Sequence, residues 1–436
     1  MTPEEIQKLK DLDRTLLWHP FTQMQEYMEE DPLIIQGGEG CRLFDIEGKS
    51  YIDGISSLWV NIHGHRCPAL DEAVRRQLDE VAHSTLLGIG NVPSIRLAEK
   101  LSRWIPPNLR RVFYSDNGST AVEIAVKMAF QFWQQGGGNR EKQKFITLKN
   151  AYHGDTIGSV SVGGIDLFHQ IFHPLLFQAI QLPDFSLENA EKIFRKHGHE
   201  VAACVVEPMV QGAAGMLLQP PGFLRGIREL CDRHEVLLIC DEVATGFGRT
   251  GKMFAVEHEG VAPDLMCMAK GITGGYLPLA ATWTTERVFD GFRGKFQEWK
   301  TFFHGHSYTG NPLACAAAIA SLDLFEARRI LEGLETKVGW FREGLRRFSS
   351  HPHVKEVRQI GLMIGIELVR DKATAEEYPP ALKMGAKICY HARKSGVLLR
   401  PLGNVLVIMP PLSIQENEVH EILQVLYDSM ETCTRT

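Results

Sequence analysis

The chain has 436 residues, 44% of them hydrophobic, with a formal net charge of −6. That length supports two domains around a large core, and no basic stripe with interleaved aromatics marks a nucleic-acid partner. Nine cysteines stand singly without a C-x-x-C, the polar first ten residues lack a signal core, and no apolar run reaches membrane-spanning length, so the reading is a cytoplasmic protein with reduced thiols.

A charged, helix-like start leads to L-W-H-P-F-T-Q-M at residues 17–24, where aromatics beside a proline pin a loop. Residues 32–53 read as short strands joined by glycine turns. In the following S-S-L-W-V-N-I-H-G-H, His63 and His65 are two apart with no third ligand in sight, which favours structural roles over a metal site. Residues 67 to about 101 are helical in character, broken near H-S-T-L-L-G-I-G-N. Residues 111–114 are strand-like and 121–133 follow a helical period. Between them, Asn117-Gly118-Ser119-Thr120 offers a glycine for close approach, hydroxyls, and the free amides of a helix start, an anion site by construction.

K-F-I-T-L reads as the next strand, and the glycines around Tyr152 in N-A-Y-H-G-D-T let a flat ring approach the backbone. V-A-A-C-V-V is a buried strand ending in Glu207, which reads either as the rim of a cofactor site or as a buried structural hydrogen-bonding group. A helix over 221–234 leads into a further apolar run, 236–240, which ends in Asp241 and Glu242. Another, 265–269, ends in Lys270 followed by glycine. Both read as strands buried on two faces with polar chemistry at their carboxyl ends. A helix begins near Pro312, and from about Ala327 amphipathic helices alternate with strands as a small α/β layer.

An acid and an amine at two buried strand ends predict a shared site, because a lone ammonium there is costly unless paired, solvated or covalently bound. Pyridoxal phosphate (PLP) chemistry wants this pair. A lysine with a lowered pKa condenses with the cofactor aldehyde and later serves as base, and a carboxylate keeps the pyridine nitrogen protonated.

D-E-V-A-T-G-F-G-R-T-G followed by A-K-G-I-T-G-G resembles the class III (omega) aminotransferases, PLP-dependent enzymes of fold type I. The resemblance covers nearly the whole chain. It implies an α/β protein with a large PLP-binding domain at 63–328, built on a mostly parallel seven-stranded sheet. It also implies a small α/β domain at 329–436 and an N-terminal segment, 1–62, packing with it. A homodimer with active sites at the interface is implied as well. Residue by residue, it implies Lys270 as the PLP lysine, Asp241 at the ring nitrogen, Gly118 and Ser119 at the phosphate, and Tyr152 against the ring. Arg249 matches a family position that supports the site by ion pairing. Ser307 reaches the phosphate of the neighbouring subunit, with His306 where the family usually has proline.

W-H-P-F-T, S-S-L-W, H-G-H-S-Y-T-G-N and R-P-L-G-N are similar to one branch, the 7,8-diaminononanoate aminotransferases of biotin synthesis. The ornithine, acetylornithine and 4-aminobutyrate branches share only the cofactor motifs. The branch resemblance implies 8-amino-7-oxononanoate as amino acceptor, with Arg400 clamping its carboxylate and Phe21, Trp59 and Gly305 around the substrate. Phe21, Leu58 and Val407 stand where that branch usually has tyrosine, tryptophan and tyrosine. This leaves two donors open, the branch's usual S-adenosylmethionine and lysine. A surface role for Arg400, a cofactor-bearing protein used only for binding, and a NAD-dependent oxidoreductase are the rivals, the last weakened by the lack of a G-x-G-x-x-G after an early strand.

Overall fold

The structure, a computed structural model, describes residues 1–165 and 170–435. Its centre is a seven-stranded sheet. The strands run across it in the order Leu109–Ser115, Ala280–Thr285, Leu265–Met268, Leu237–Asp241, Val201–Val206, Lys144–Leu148 and Ile180–Leu182. Ala280–Thr285 is antiparallel to both of its neighbours, and the remaining pairings are parallel. Every residue of Leu237–Asp241, Leu265–Met268 and Val201–Val206 is buried, which is why these segments read as unbroken apolar runs. In parallel register Asp241 pairs with Cys267. The two strands therefore deliver Asp241 and Lys270 to the same edge of the sheet.

The helix Gly118–Gln135 crosses the sheet, burying Ile124, Ala125, Met128 and Phe132 against it. On the other flank, Pro312–Ala327 packs against Pro68–Glu80 and Val92–Leu101. Its alanines let those helices approach closely. The C-terminal part holds a second sheet, Val354–Ile360, Met363–Leu368, Val405–Ile408 and Arg400–Leu402, antiparallel throughout.

A third sheet joins chain ends that are far apart in sequence. Ile35–Glu39, Arg42–Asp45 and Ser50–Asp53 are completed by Val397–Leu398, which lies parallel to the last of them. Around it, Tyr390 donates to Glu30 at 2.6 Å and Lys383 pairs with Glu26. The N-terminal segment is thus stitched to the C-terminal part rather than to the central sheet. Among the described residues no helix is long and apolar enough to cross a membrane.

Candidate active site

At the carboxyl edge of the central sheet lies a cavity of about 790 Å³. Its walls include Gly118, Ser119, Tyr152, Glu207, Asp241, Lys270 and Trp59, seven of the residues singled out in the sequence. Phe21 and Arg400 are not in its wall but meet each other, the guanidinium carbon lying 5.9 Å from the ring centre, and the charge of Arg400 reaches Tyr152. Among the described residues Arg400 has no carboxylate partner within ion-pair distance. Gly305 and Ser307 are exposed on the surface of the chain, outside this cavity.

Asp241 is almost completely buried. Its Oδ1 accepts the Val243 amide at 3.0 Å, and its Oδ2 stands 2.7 Å from His153 Nδ1. Burial by itself disfavours a charged imidazole here, but the hydrogen bond and charge of Asp241, with the charge of Glu207, hold the His153 pKa above the ordinary histidine value. The imidazole behind the carboxylate fixes Asp241 in place. The sequence pattern does not mark His153 as a functional residue. Its one hint is its place next to Tyr152 in Y-H-G-D-T, since its partner lies 88 residues further along the chain.

Lys270, at φ +45°, exposes only part of its side chain, and its ammonium sits 4.8 Å from the Trp59 ring centre. Desolvation pushes its pKa below the usual lysine range; Asp241 and Glu207 oppose that shift and Arg249 adds to it. Glu207 is fully surrounded, and burial pushes its carboxyl up to about 7 against the pull of His153. Its oxygens accept the amides of Gly212 at 3.0 Å and Tyr152 at 3.4 Å. Tyr152 itself donates to Asp155 at 2.8 Å; burial, and then this bond, raise its pKa.

The helix that starts at Gly118 is capped by Asn117, whose side chain accepts the Thr120 amide at 3.0 Å. Among the described residues the amides of Gly118 and Ser119 have no partner, and both residues line the cavity. A Cβ on Gly118 would stand 2.5 Å from Val243 Cγ1, so only glycine lets this end of the helix lie against the Asp241 strand. Ser119 Oγ bonds the Thr156 hydroxyl at 2.9 Å and accepts its amide at 2.8 Å. Gly154, at φ +110°, runs so close that a Cβ there would overlap Ser119. A phosphate fits this end, with helix amides, hydroxyls and the positive end of the helix dipole aimed at it. Asp241 and Lys270 line the same cavity as this phosphate cradle, so the residues present fit PLP.

One reading changes in the folded chain. Arg249 is fully buried, but it donates to the carbonyls of Pro410 at 2.6 Å and Asn61 at 2.8 Å, and among the described residues it has no carboxylate partner within ion-pair distance. Desolvation lowers its pKa to about 9, with only Asp53 opposing. It ties three stretches of backbone together rather than forming an ion pair. Ser56–Trp59 forms a left-handed turn, with φ between 49° and 75° at all four residues. For L-residues this costs about 1–2 kcal/mol each. Val407, one of the three substituted pocket positions, is buried in an apolar cluster with Trp59 and Met409.

The model of the family described as aminotransferase class-III matches residues 24–430. A relative from Geobacter sulfurreducens, named adenosylmethionine-8-amino-7-oxononanoate aminotransferase, is 51% identical and is covered completely, as is this chain. The solved structure of the protein of that name from Methanocaldococcus jannaschii superposes with a TM-score of 0.96 at 45% identity, over 98% of this chain and 99% of that one. A PLP-bound amine transaminase from an uncultivated Pseudomonas species gives 0.90 at 36% identity, over 96% and 99%. The chain belongs to the class-III aminotransferases, and its cofactor is pyridoxal 5'-phosphate.

Proposed function

We propose that this chain transfers the amino group of S-adenosylmethionine to 8-amino-7-oxononanoate, giving 7,8-diaminononanoate in biotin synthesis. One observation carries the mechanism: Lys270 and the His153-backed Asp241 face a single cavity from adjacent parallel strands. The substrate pair is supported by the names of the full-length relatives and by Arg400, which is free of carboxylate partners among the described residues and suits a substrate carboxylate.

When bound, the cofactor supplies an aldehyde for amine exchange and an electron-accepting ring. Gly118 and Ser119 would hold its phosphate by their amides, with the Ser119 hydroxyl kept in register by Thr156. Asp241, fixed in place by His153, would hold the proton on the ring nitrogen. Tyr152 would flank the ring. Lys270 Nζ, its pKa lowered by its dry surroundings, is more readily the free-amine nucleophile than an exposed lysine. The same nitrogen would carry the proton to and from the reacting carbon of the substrate. Arg400 and Phe21 orient the acceptor by its carboxylate and its chain, Trp59 closes the wall, and Glu207 braces the Tyr152 loop.

The decisive measurement is a half-reaction: the protein with PLP is mixed with adenosylmethionine or lysine separately, and loss of the visible absorbance band is followed. Conversion by adenosylmethionine alone is the expected result; conversion by lysine alone would replace the donor. Lys270→Ala with a normal band and turnover would sink the mechanism.

The working unit is a homodimer in this reading. Residues 305–311 are tied to the segment before Val92, with Asn91 donating to Gly310 O at 3.1 Å and His83 beside Tyr308. Together they expose Leu87, Ile89 and Tyr308, with the exposed Phe303 just before them in the chain, a patch of the kind that marks an isologous interface. Gly305 and Ser307 then serve the partner's site. All nine cysteines are free thiols, which suits a reducing, cytoplasmic setting.

A further inference from the structure

Ser56, Ser57, Leu58 and Trp59 have φ of 51°, 49°, 75° and 70°. The amides of Trp59 and Val60 bond back to Ile55 O at 2.7 Å and Ser56 O at 3.0 Å. This is a whole left-handed helical turn without a glycine, whereas L-residues ordinarily enter that region singly. Such a conformation persists only where its surroundings over-determine it.

The anchor is Asp53, fully buried and outside the cavity wall. Its Oδ1 accepts the Ser57 amide at 2.9 Å, and its Oδ2 accepts the Ser57 hydroxyl at 2.8 Å. His65 Nε2 lies 2.9 Å from Oδ2, and the other ring nitrogen of His65 is 3.1 Å from Asn61 Nδ2. From the other side, Ser56 Oγ donates to Met409 O at 2.6 Å. The turn turns these bonds into site geometry: Ser57, Leu58, Trp59 and Val60 form one wall of the cavity, with the Trp59 ring 4.8 Å from Lys270 Nζ. A relaxed right-handed or extended backbone would swing Leu58 and Trp59 off that wall.

We infer that Asp53 is a positioning residue of the amino-transfer reaction, holding the left-handed turn that sets Trp59 and Leu58 against Lys270 and the donor. This rests on the reading of the cavity as the PLP site. Asp53 acts through the turn and touches no reacting atom.

The test compares full-length protein carrying PLP with Asp53→Ala, Ser57→Gly and the double variant. The readouts are the donor KM and limiting rate of the half-reaction, the pH midpoint of the visible absorbance band, and Tm. Asp53→Ala is expected to bind PLP and melt cooperatively while its donor KM rises about tenfold, the scale of a small misplacement in a site, and its absorbance midpoint shifts. Glycine at position 57 takes positive φ without a Cβ penalty, so the double variant should recover most of both changes. A fall in Tm with KM and midpoint unchanged would overturn the proposal, and so would a double variant no better than Asp53→Ala. Should the alanine variant not fold, Asp53→Asn, which keeps one acceptor oxygen for the Ser57 amide, carries the same comparison with and without Ser57→Gly. Failure of the underlying site reading looks different: Lys270→Ala would keep the parent's absorbance band.

Discussion

Replacing Asp241 by asparagine isolates charge from shape at the centre of the site. The new amide keeps an oxygen for the Val243 N–H but turns an N–H₂ group toward His153 Nδ1, which now lies 2.7 Å from a carboxylate oxygen. Two donors cannot share that distance, so His153 must shed its Nδ1 proton and carry one on Nε2, a buried atom with no partner among the described residues. Without Asp241 nothing but the more distant Glu207 opposes burial, so the His153 pKa falls below the ordinary value; that of Lys270, which Asp241 raises, falls further. A lost charge-assisted hydrogen bond is worth about 1.5–3 kcal/mol. At about 1.4 kcal/mol per decade, that is a rate loss of about 10- to 100-fold, before the loss of the proton on the ring nitrogen is counted. The assay is a stopped-flow half-reaction with nitrogen NMR of His153 alongside. Asp241→Asn should retain bound PLP, because Gly118, Ser119 and Lys270 are untouched. Near-parental rates with His153 still carrying its Nδ1 proton would refute the reasoning.

Gly154→Ala should force Ser119 from its place, since the new Cβ overlaps it at φ +110°; overpacking of this kind costs about 1–3 kcal/mol, and equilibrium dialysis should show PLP held about 5- to 150-fold more weakly. Arg400→Ala should raise the acceptor KM by about 10- to 100-fold with the donor half-reaction intact, the effect of losing a charged hydrogen-bond pair; an unchanged acceptor KM would remove Arg400 from the site. Ile89→Asp, at an exposed position, should yield folded monomers with little turnover in sedimentation and activity assays, and a fully active monomer would exclude the shared site. Burial pushes Glu242 up to about 7. The folded state therefore binds more protons than the unfolded one between the unfolded value of about 4.3 and 7. Stability falls as pH rises through that window, and Glu242→Gln should flatten the fall in urea titrations at pH 5 and 7.

The amino-acid order alone determined the strand-end chemistry. Residues 236–240 and 265–269 are uniformly apolar because parallel strands are covered on both faces, so each run announces its end by its first charged residue. Asp241 and Lys270 were therefore legible, as was the Gly118-Ser119 helix start, whose capping chemistry is local. Folding decided what depends on residues distant in sequence. His153 gains its meaning from Asp241, 88 positions away, and Arg249 proved to bind carbonyls of Asn61 and Pro410 that no pattern around F-G-R-T-G could indicate. Gly305 and Ser307 lie outside the cavity of their own chain. The left-handed turn at Ser56–Trp59 was invisible because serine, leucine and tryptophan carry no intrinsic preference for positive φ. The energy that holds it comes from the buried Asp53 carboxylate and from Met409, 353 residues from the serine it binds. Local sequence encodes which backbone states are inexpensive; only tertiary contacts can stabilise an expensive one.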